Sequence, residues 1–350
     1  MTDHTQISDN FVVWIEQYQQ LVVRGVRSDA VAHKIELHLQ RFSQFFQESY
    51  GHDRISICLR RDVVAWQSAL QQQGLAAATI NNHVASLSGF TTWVCAQQLH
   101  LFVGGNPTKG LGEIGLPAPE PRALNDEQVR SLKNVCDRLL HFYKLKGRRH
   151  QTKANLPVYA KGRPWRDRAI VFVLLSTGLR REELTQIEID QLSPNTASAL
   201  RTARRAQLLR VRGKGKTERS VFLSADARLA LADYFDYERS RDVSATTTAL
   251  FLSAVEVSAR ASDGRLSPGA VNLILGQIGR WHDAEMTDPQ RHISPLRPHD
   301  LRHTFAFQLA RATGADAYEL ERRLGHRSQR YIQRYTNPPE AVAAAYVETF

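Results

Sequence analysis

Residues 298–338 read PHDLRHTFAFQLARATGADAYELERRLGHRSQRYIQRYTNP. Pro298 can open a helix, because it presets φ and its missing N–H would be unpaired there anyway. His299, Arg302 and His303 then stand at i, i+3 and i+4 and share one face. Leu301, Phe305 and Leu309 form the adjoining apolar stripe, so this polar trio borders a buried seam. Gly314 ends the helix, and a second helix runs to Leu324-Gly325-His326. Nine residues past His326 comes Tyr335, closed off by Asn337-Pro338-Pro339.

Two histidines, an arginine at the edge of a core and a late tyrosine are what phosphoryl transfer to a tyrosine would need. The stretch resembles the C-terminal signature of the tyrosine recombinases, the phage integrase family. There, H-x-L-R-H is followed by L-G-H and by a nucleophilic tyrosine nine residues on. The order of types alone leaves Tyr331 and Tyr335 open as nucleophiles; the family interval points to Tyr335.

The chain has 350 residues, which suggests two domains. A net charge of +11 favours a polyanionic partner, nucleic acid first. Cys58, Cys95 and Cys136 are odd in number and far apart, which argues against a disulfide framework or a Cys-rich zinc site and for reduced core residues in a cytosolic protein. The start MTDHTQISDN has neither a basic n-region nor an apolar h-region, so no signal peptide is expected. The longest apolar run, Ala169–Leu175, falls far short of the roughly 20 residues a membrane span takes.

The first domain is expected over 8–103, and residues 8–100 read as four helices. Phe11, Ile15, Tyr18 and Val22 keep the rhythm of one helical face, and Ile35, Leu39, Phe42 and Phe46 repeat it. Asp62 is expected to cap a third helix carrying Val63, Trp66 and Leu70, ended by Gly74. A fourth turns Ile80, Val84, Leu87 and Val94 inward. Its other face offers Thr79, Asn82, His83 and Ser86, short side chains that could reach phosphates or base edges. This pattern resembles the helical core-binding domain of the family. Residues 104–122 hold five glycines and four prolines and read as an interdomain linker.

The second domain is expected over 123–338. Asn125 with Gln128 makes a capping-box start. No acidic residue occurs from Arg138 through Arg166, while residues 144–153 include Lys144, Lys146, Arg148 and Arg149, which we read as a DNA-contacting loop. The run AIVFVLL is a buried helix, and the chain turns at Thr177-Gly178-Leu179. An arginine at the end of such a helix can offer a planar fork of donors to a phosphate. T-G-L-R-R-E-E-L resembles the family's T-G-L-R-x-x-E-L, which makes Arg180 the first catalytic arginine and Glu183 its acidic companion. Ala206–Leu223 reads as a hairpin around Gly213-Lys214-Gly215. By resemblance Lys214 is the general acid, with Lys216 the rival. Eight Lys/Arg stand against one acid from Arg201 through Arg219, and we assign Arg212 and Lys216 to DNA contact. Residues 225–292 read as mainly helical with a polar loop near 262–267. Val342, Tyr346 and Phe350 lie on one stripe of a terminal helix over 339–350, which would dock on a neighbouring subunit or on its own domain.

The fold class is therefore mainly α with a small β-sheet or hairpin: an N-terminal helical core-binding domain plus an α+β catalytic domain. The resemblance implies a C-shaped clamp on double-stranded DNA at a specific recombination site, with four protomers on two sites. Accessory DNA-binding proteins are compatible with it. The resemblance implies catalysis by Arg180, Lys214, His299, Arg302, His326 and Tyr335, supported by His303 and Glu183, with no cofactor or metal. Three competing readings are weaker. His299 and His303 have zinc-protease spacing, but Asp300 stands where Glu is needed. A non-catalytic DNA-binding protein would explain the charge but not the ordered Arg, Lys, His, Arg, His, Tyr set. A type IB topoisomerase uses similar chemistry without strand exchange, and the helical first domain and linker favour a recombinase.

Overall fold

The computed structural model describes residues 8–98, 100–115, 122–148, 162–213 and 217–325, without the side chains of 146–148. The chain forms two compact units, divided between Pro119 and Glu120.

The first unit is built of α1 (Phe11–Tyr18), α2 (Asp29–Tyr50), α3 (Arg60–Gln72) and α4 (Ala77–Gln97). Asn10 Oδ1 accepts from the Val12 and Val13 N–H groups and so starts α1. A wider π-turn, Gln19–Val23, continues it. Asp62 lies inside the first turn of α3 rather than at its cap, and accepts from the Leu59 N–H at 2.8 Å. Phe11, Phe42, Phe46, Trp66 and Phe90 fill the core. Phe11 meets Phe42 and Phe46 edge-on at 5.5 and 5.3 Å between ring centres, the offset geometry that aromatic quadrupoles prefer.

A second expectation changes here. His83 is buried, only 6% exposed, and stacks on His38 of α2 with ring centres 3.9 Å apart. Its position, three residues after Ile80 and four before Leu87, puts it on the buried stripe of α4. Burial, then the charges of His83 and Lys34, push the His38 imidazole down to about 4, and burial lowers His83 too. Two neutral rings can stack where two imidazolium ions would repel. Thr79 and Asn82 remain exposed, while Ser86 shares a hydrogen bond with His38 Nδ1 at 2.9 Å.

Residues 104–115 pack on the first unit. Asn81 accepts from the Ile114 N–H and donates to the Ile114 carbonyl, and Thr91 and Thr108 pair through their hydroxyls. The first part of the Gly/Pro-rich stretch is thus fastened by side-chain hydrogen bonds to backbone that has no ladder of its own.

The second unit begins with α5 (Asp126–Asp137), whose Asn125–Gln128 capping box forms with both bonds made (2.8 and 3.1 Å). Next comes α6 (Leu139–Arg148), so the basic stretch is helical through 148 rather than a loop. α7 (Pro164–Thr177) is the centre of the unit, with every residue from Ala169 to Leu175 buried. It packs against α10 (Ala225–Tyr234) and α13 (Pro298–Ala312). Between them run α8 (Arg181–Thr185), β1 (Leu192–Ser193), α9 (Ala197–Thr202), β2 (Ala206–Arg212) and β3 (Glu218–Leu223). The strands make an antiparallel sheet in the order β1-β2-β3, so the expected hairpin gains a short third strand. A bulge shifts the register between Leu208 and Val211, held by Gln191 Nε2 donating to the Leu209 and Arg210 carbonyls. After α11 (Ser240–Asp242) the chain is irregular over 243–267, longer than the loop expected near 262–267. α12 (Pro268–Asp283), α13 and α14 (Ala317–Leu324) complete the described part. Among the described residues no helix is long and apolar enough to cross a membrane.

Candidate active site

The site starts where α7 stops. Gly178 closes the helix at φ +60°, a left-handed conformation that favours glycine. A Cβ at Gly178 would overlap Phe305 Cδ1 on α13, so a side chain would force that ring to shift. Leu179 is buried behind the turn, and Arg180 becomes the N-cap of α8.

Glu183 closes the first turn of α8. Its Oε2 accepts from the Arg180 N–H (2.9 Å), and its Oε1 accepts from Arg180 Nη1 (2.8 Å). A second guanidinium joins it. Arg219 of β3 donates from Nη2 to Glu183 Oε2 at 2.7 Å and from Nη1 to Oε1 at 3.1 Å. Burial pushes the Glu183 carboxyl up, but the hydrogen bonds and charge of Arg219, with those of Arg180, outweigh it and hold it below its ordinary value. Nothing in the sequence singled out Arg219. It was one of eight basic residues in its stretch, and its partner lies 36 positions earlier.

α13 opens at Pro298 as expected, with Asp300 accepting from the Arg297 N–H. Arg302 is 3% exposed on the buried side of this helix. Its Nη1 donates to the Gly178 carbonyl (2.5 Å) and its Nη2 to the Leu324 carbonyl (2.8 Å). Both acceptors lie at helix C-termini, of α7 and α14, where carbonyls lack intrahelical partners and the dipole favours a cation. One buried guanidinium thereby fixes the turn that leads to Arg180 against the helix end that leads to His326.

His299 sits one turn earlier on α13 with its ring reaching the surface. Partial burial, then the charge of Arg302, lower its pKa; Arg180 and Arg181 act in the same direction and Glu182 against it. The imidazole is therefore mostly neutral near pH 7 and able to accept a proton. His303 lies a turn further on, with ring centres 6.4 Å apart. Among the described residues no group of three His, Cys, Asp or Glu forms around this pair that could hold a metal ion.

Arg180, Glu183, His299 and Arg302 come together from two segments more than 100 residues apart. Lys214, Lys216, Arg149, His326, Tyr331, Tyr335 and the terminal segment 339–350 lie outside the described residues, as do the side chains of Lys146 and Arg148. Gly213 and Gly325 border those gaps, and Arg219 lies beside both: a Cβ would be 3.4 Å from its Nη1 at Gly213 and 3.0 Å at Gly325. Arg212 is exposed and pairs with Glu218 across the hairpin at 3.4 Å, and Lys144 is exposed on α6.

The phage integrase family model matches residues 149–341, more than half of the chain. The chain belongs to the phage integrase family. Among its relatives is the tyrosine recombinase XerC of Syntrophus aciditrophicus, 34% identical over 171 residues, which are 49% of this chain and 48% of that protein. The XerC of Pelotomaculum thermopropionicum is 28% identical over 268 residues, 77% and 73% of the two chains. The chain thus spans about half the length of the first relative and about three quarters of the second. Two solved structures share the fold. The Tn1549 transposon integrase in complex with a circular intermediate DNA aligns over 98% of this chain and 99% of that one, at 16% identity and a TM-score of 0.67. The XerH site-specific recombinase bound to its difH substrate aligns over 95% and 83%, at 17% identity and a TM-score of 0.61. Both of the relatives named here are tyrosine recombinases.

The Gly178 turn gives a direct prediction. Gly178→Ala combines an unfavourable φ with a ring contact, and is expected to destabilise the second unit by about 1–3 kcal/mol. A urea titration followed by circular dichroism would show a lower midpoint; an unchanged midpoint would contradict the assignment of this turn.

Proposed function

We propose that this protein cuts and rejoins double-stranded DNA at a specific recombination site through a 3′-phosphotyrosine intermediate. The observation that carries the reading is the meeting of Arg180, His299 and Arg302, with Arg302 fastened to the helix end that precedes His326. Support comes also from the order of motifs, from the net charge of +11 and from family membership. The DNA complexes of the Tn1549 integrase and of XerH suggest the same class of partner.

In this reading Arg180 and Arg302 hold the scissile phosphate and stabilise the charge that builds in the transition state. His299 takes the proton of Tyr335, whose oxygen attacks phosphorus in line. The bond to the 5′ oxygen breaks, and Lys214 protonates that leaving oxygen. His326 donates a hydrogen bond to a non-bridging oxygen, while Glu183 and His303 support the groups beside them. The phosphotyrosine retains the energy of the phosphodiester, so a 5′-hydroxyl from another strand can displace the tyrosine without ATP or metal. Thr79, Asn82, Ser86, Lys144, Lys146, Arg148, Arg149, Arg212 and Lys216 are the proposed DNA contacts. The proposed domains are a core-binding domain, 8–103, and a catalytic domain, 123–338, in a cytoplasmic protein. Four protomers on two DNA sites would form the working assembly, with accessory DNA-binding proteins where a site requires them. Integration, transposition, cassette movement and dimer resolution all use this chemistry.

The test is a nicked suicide duplex carrying candidate sites, incubated with the protein in EDTA. Wild type should form a covalent protein–DNA complex and Tyr335→Phe should not; a complex that persists in Tyr335→Phe moves the nucleophile elsewhere. The pH profile checks the base. Only the neutral imidazole accepts a proton, and the His299 pKa lies below its ordinary 6.5. The cleavage rate should therefore fall to half its plateau only at a pH below 6.5, whereas a midpoint at or above 6.5 would argue against His299 as the base.

A further inference from the structure

The phosphate role given to Arg180 raises an electrostatic difficulty. Its Nη1 lies 2.8 Å from the Glu183 carboxylate. A closed one-to-one pair of this kind is neutral, and its carboxylate competes with any phosphate for the same donors.

Arg219 changes that balance. Its side chain is 9% exposed and that of Glu183 5%, so both charges are largely withdrawn from water. Arg219 meets both carboxylate oxygens (2.7 and 3.1 Å), while Arg180 contributes one guanidinium nitrogen and its backbone N–H. The four acceptor sites of the carboxylate are then taken. Two guanidinium groups around one carboxylate leave a net charge of +1. Among the described residues, the Arg180 side chain spends only Nη1 on Glu183, which leaves Nε and Nη2 for another acceptor.

The remaining edge of Arg219 is also used. Its Nε donates to the Arg323 carbonyl at 3.0 Å, in the last turn of α14. Three residues along β3, the Phe222 ring faces the Arg323 guanidinium at 4.8 Å. β3 follows Lys214 in the hairpin, and α14 leads directly to His326.

We propose that Arg219 is a positioning residue of this site: it saturates Glu183 so that Arg180 keeps charge and donors for the phosphate, and it ties the hairpin of Lys214 to the helix that delivers His326. The proposal rests on the phosphoryl-transfer reading above. Arg219 itself touches neither DNA nor the reacting atoms in this role.

The test uses the full chain and the nicked duplex, read as single-turnover cleavage rate together with DNA affinity and thermal midpoint. Arg219→Gln should slow cleavage by about 10²-fold, the scale of a small misplacement at a reacting centre, while the affinity for DNA stays within about threefold, a smaller change than the cleavage defect. Adding Glu183→Gln to that variant removes the carboxylate that would draw Arg180 down, so the double variant should recover about tenfold or more of the loss, a sizeable part of the misplacement effect. A residue that only holds the fold predicts the opposite, a double variant as slow as the single one or slower. Should Arg219→Gln lose its fold, Arg219→Lys keeps the charge without the fork, and the same comparison with and without Glu183→Gln is made on it. Recovery supports the assignment in either series; wild-type cleavage in the single variant, or no recovery in the double, overturns it. A wild type that forms no covalent complex removes the recombinase reading and this assignment with it. A wild type that cleaves while recovery fails removes the assignment alone.

Discussion

An ionised carboxylate taken out of water must be matched by positive charge, or it protonates. At the start of α8 that carboxylate is Glu183, and two arginines meet it. One stands at the start of α8 and one on β3, so a helix end and a strand are tied by a single side chain. The arrangement is costly to break, because removing either arginine would leave buried charge without its full set of partners. It also has a direction. Burial raises the pKa of Glu183 and the arginines lower it further than burial lifts it. Fixed positive charge therefore stands beside Glu183, which is the preorganisation that the proposed phosphoryl transfer would need.

Arg302 does for the other half of the site what Glu183 does for the first. It lies inside the protein, between the carboxyl ends of α7 and α14, and offers each a donor. Both helices end at a left-handed glycine, Gly178 and Gly325. Their last carbonyls would otherwise lack partners in a dry interior. Partial burial first, and then this guanidinium charge, lower the pKa of His299 a turn away, which favours the neutral ring. The same group thus acts on both packing and proton chemistry.

Much of this was legible in the sequence because it depends on local rules. Pro298, the Asn125–Gln128 pair and the glycine after Thr177 each act within one or two turns, and the helices begin and end there. The apolar run of α7 is buried throughout, as its composition requires. What escaped depends on partners distant in the chain. Arg219 was one basic residue among many until β3 came to lie beside α8. His83 seemed to belong to a polar face, but α2 supplies His38 to cover it. The third strand, Leu192–Ser193, and α9, Ala197–Thr202, lie before Ala206, in a stretch to which the sequence reading assigned no element. A bulge at Arg210, pinned by Gln191, likewise needs a side chain from elsewhere to form.

The central claim is that Tyr335 becomes covalently joined to a 3′-phosphate of DNA, and the attachment point can be read directly. Arg330 and Arg334 flank the two candidates, so trypsin places Tyr331 and Tyr335 in different peptides, 331–334 and 335–350. Covalent complex from the nicked duplex would be digested with nuclease and trypsin and sequenced by tandem mass spectrometry. The account predicts a nucleotide on Tyr335, joined through its 3′-phosphate, with the 331–334 peptide unmodified. A nucleotide on Tyr331, or one joined through a 5′-phosphate, would contradict it.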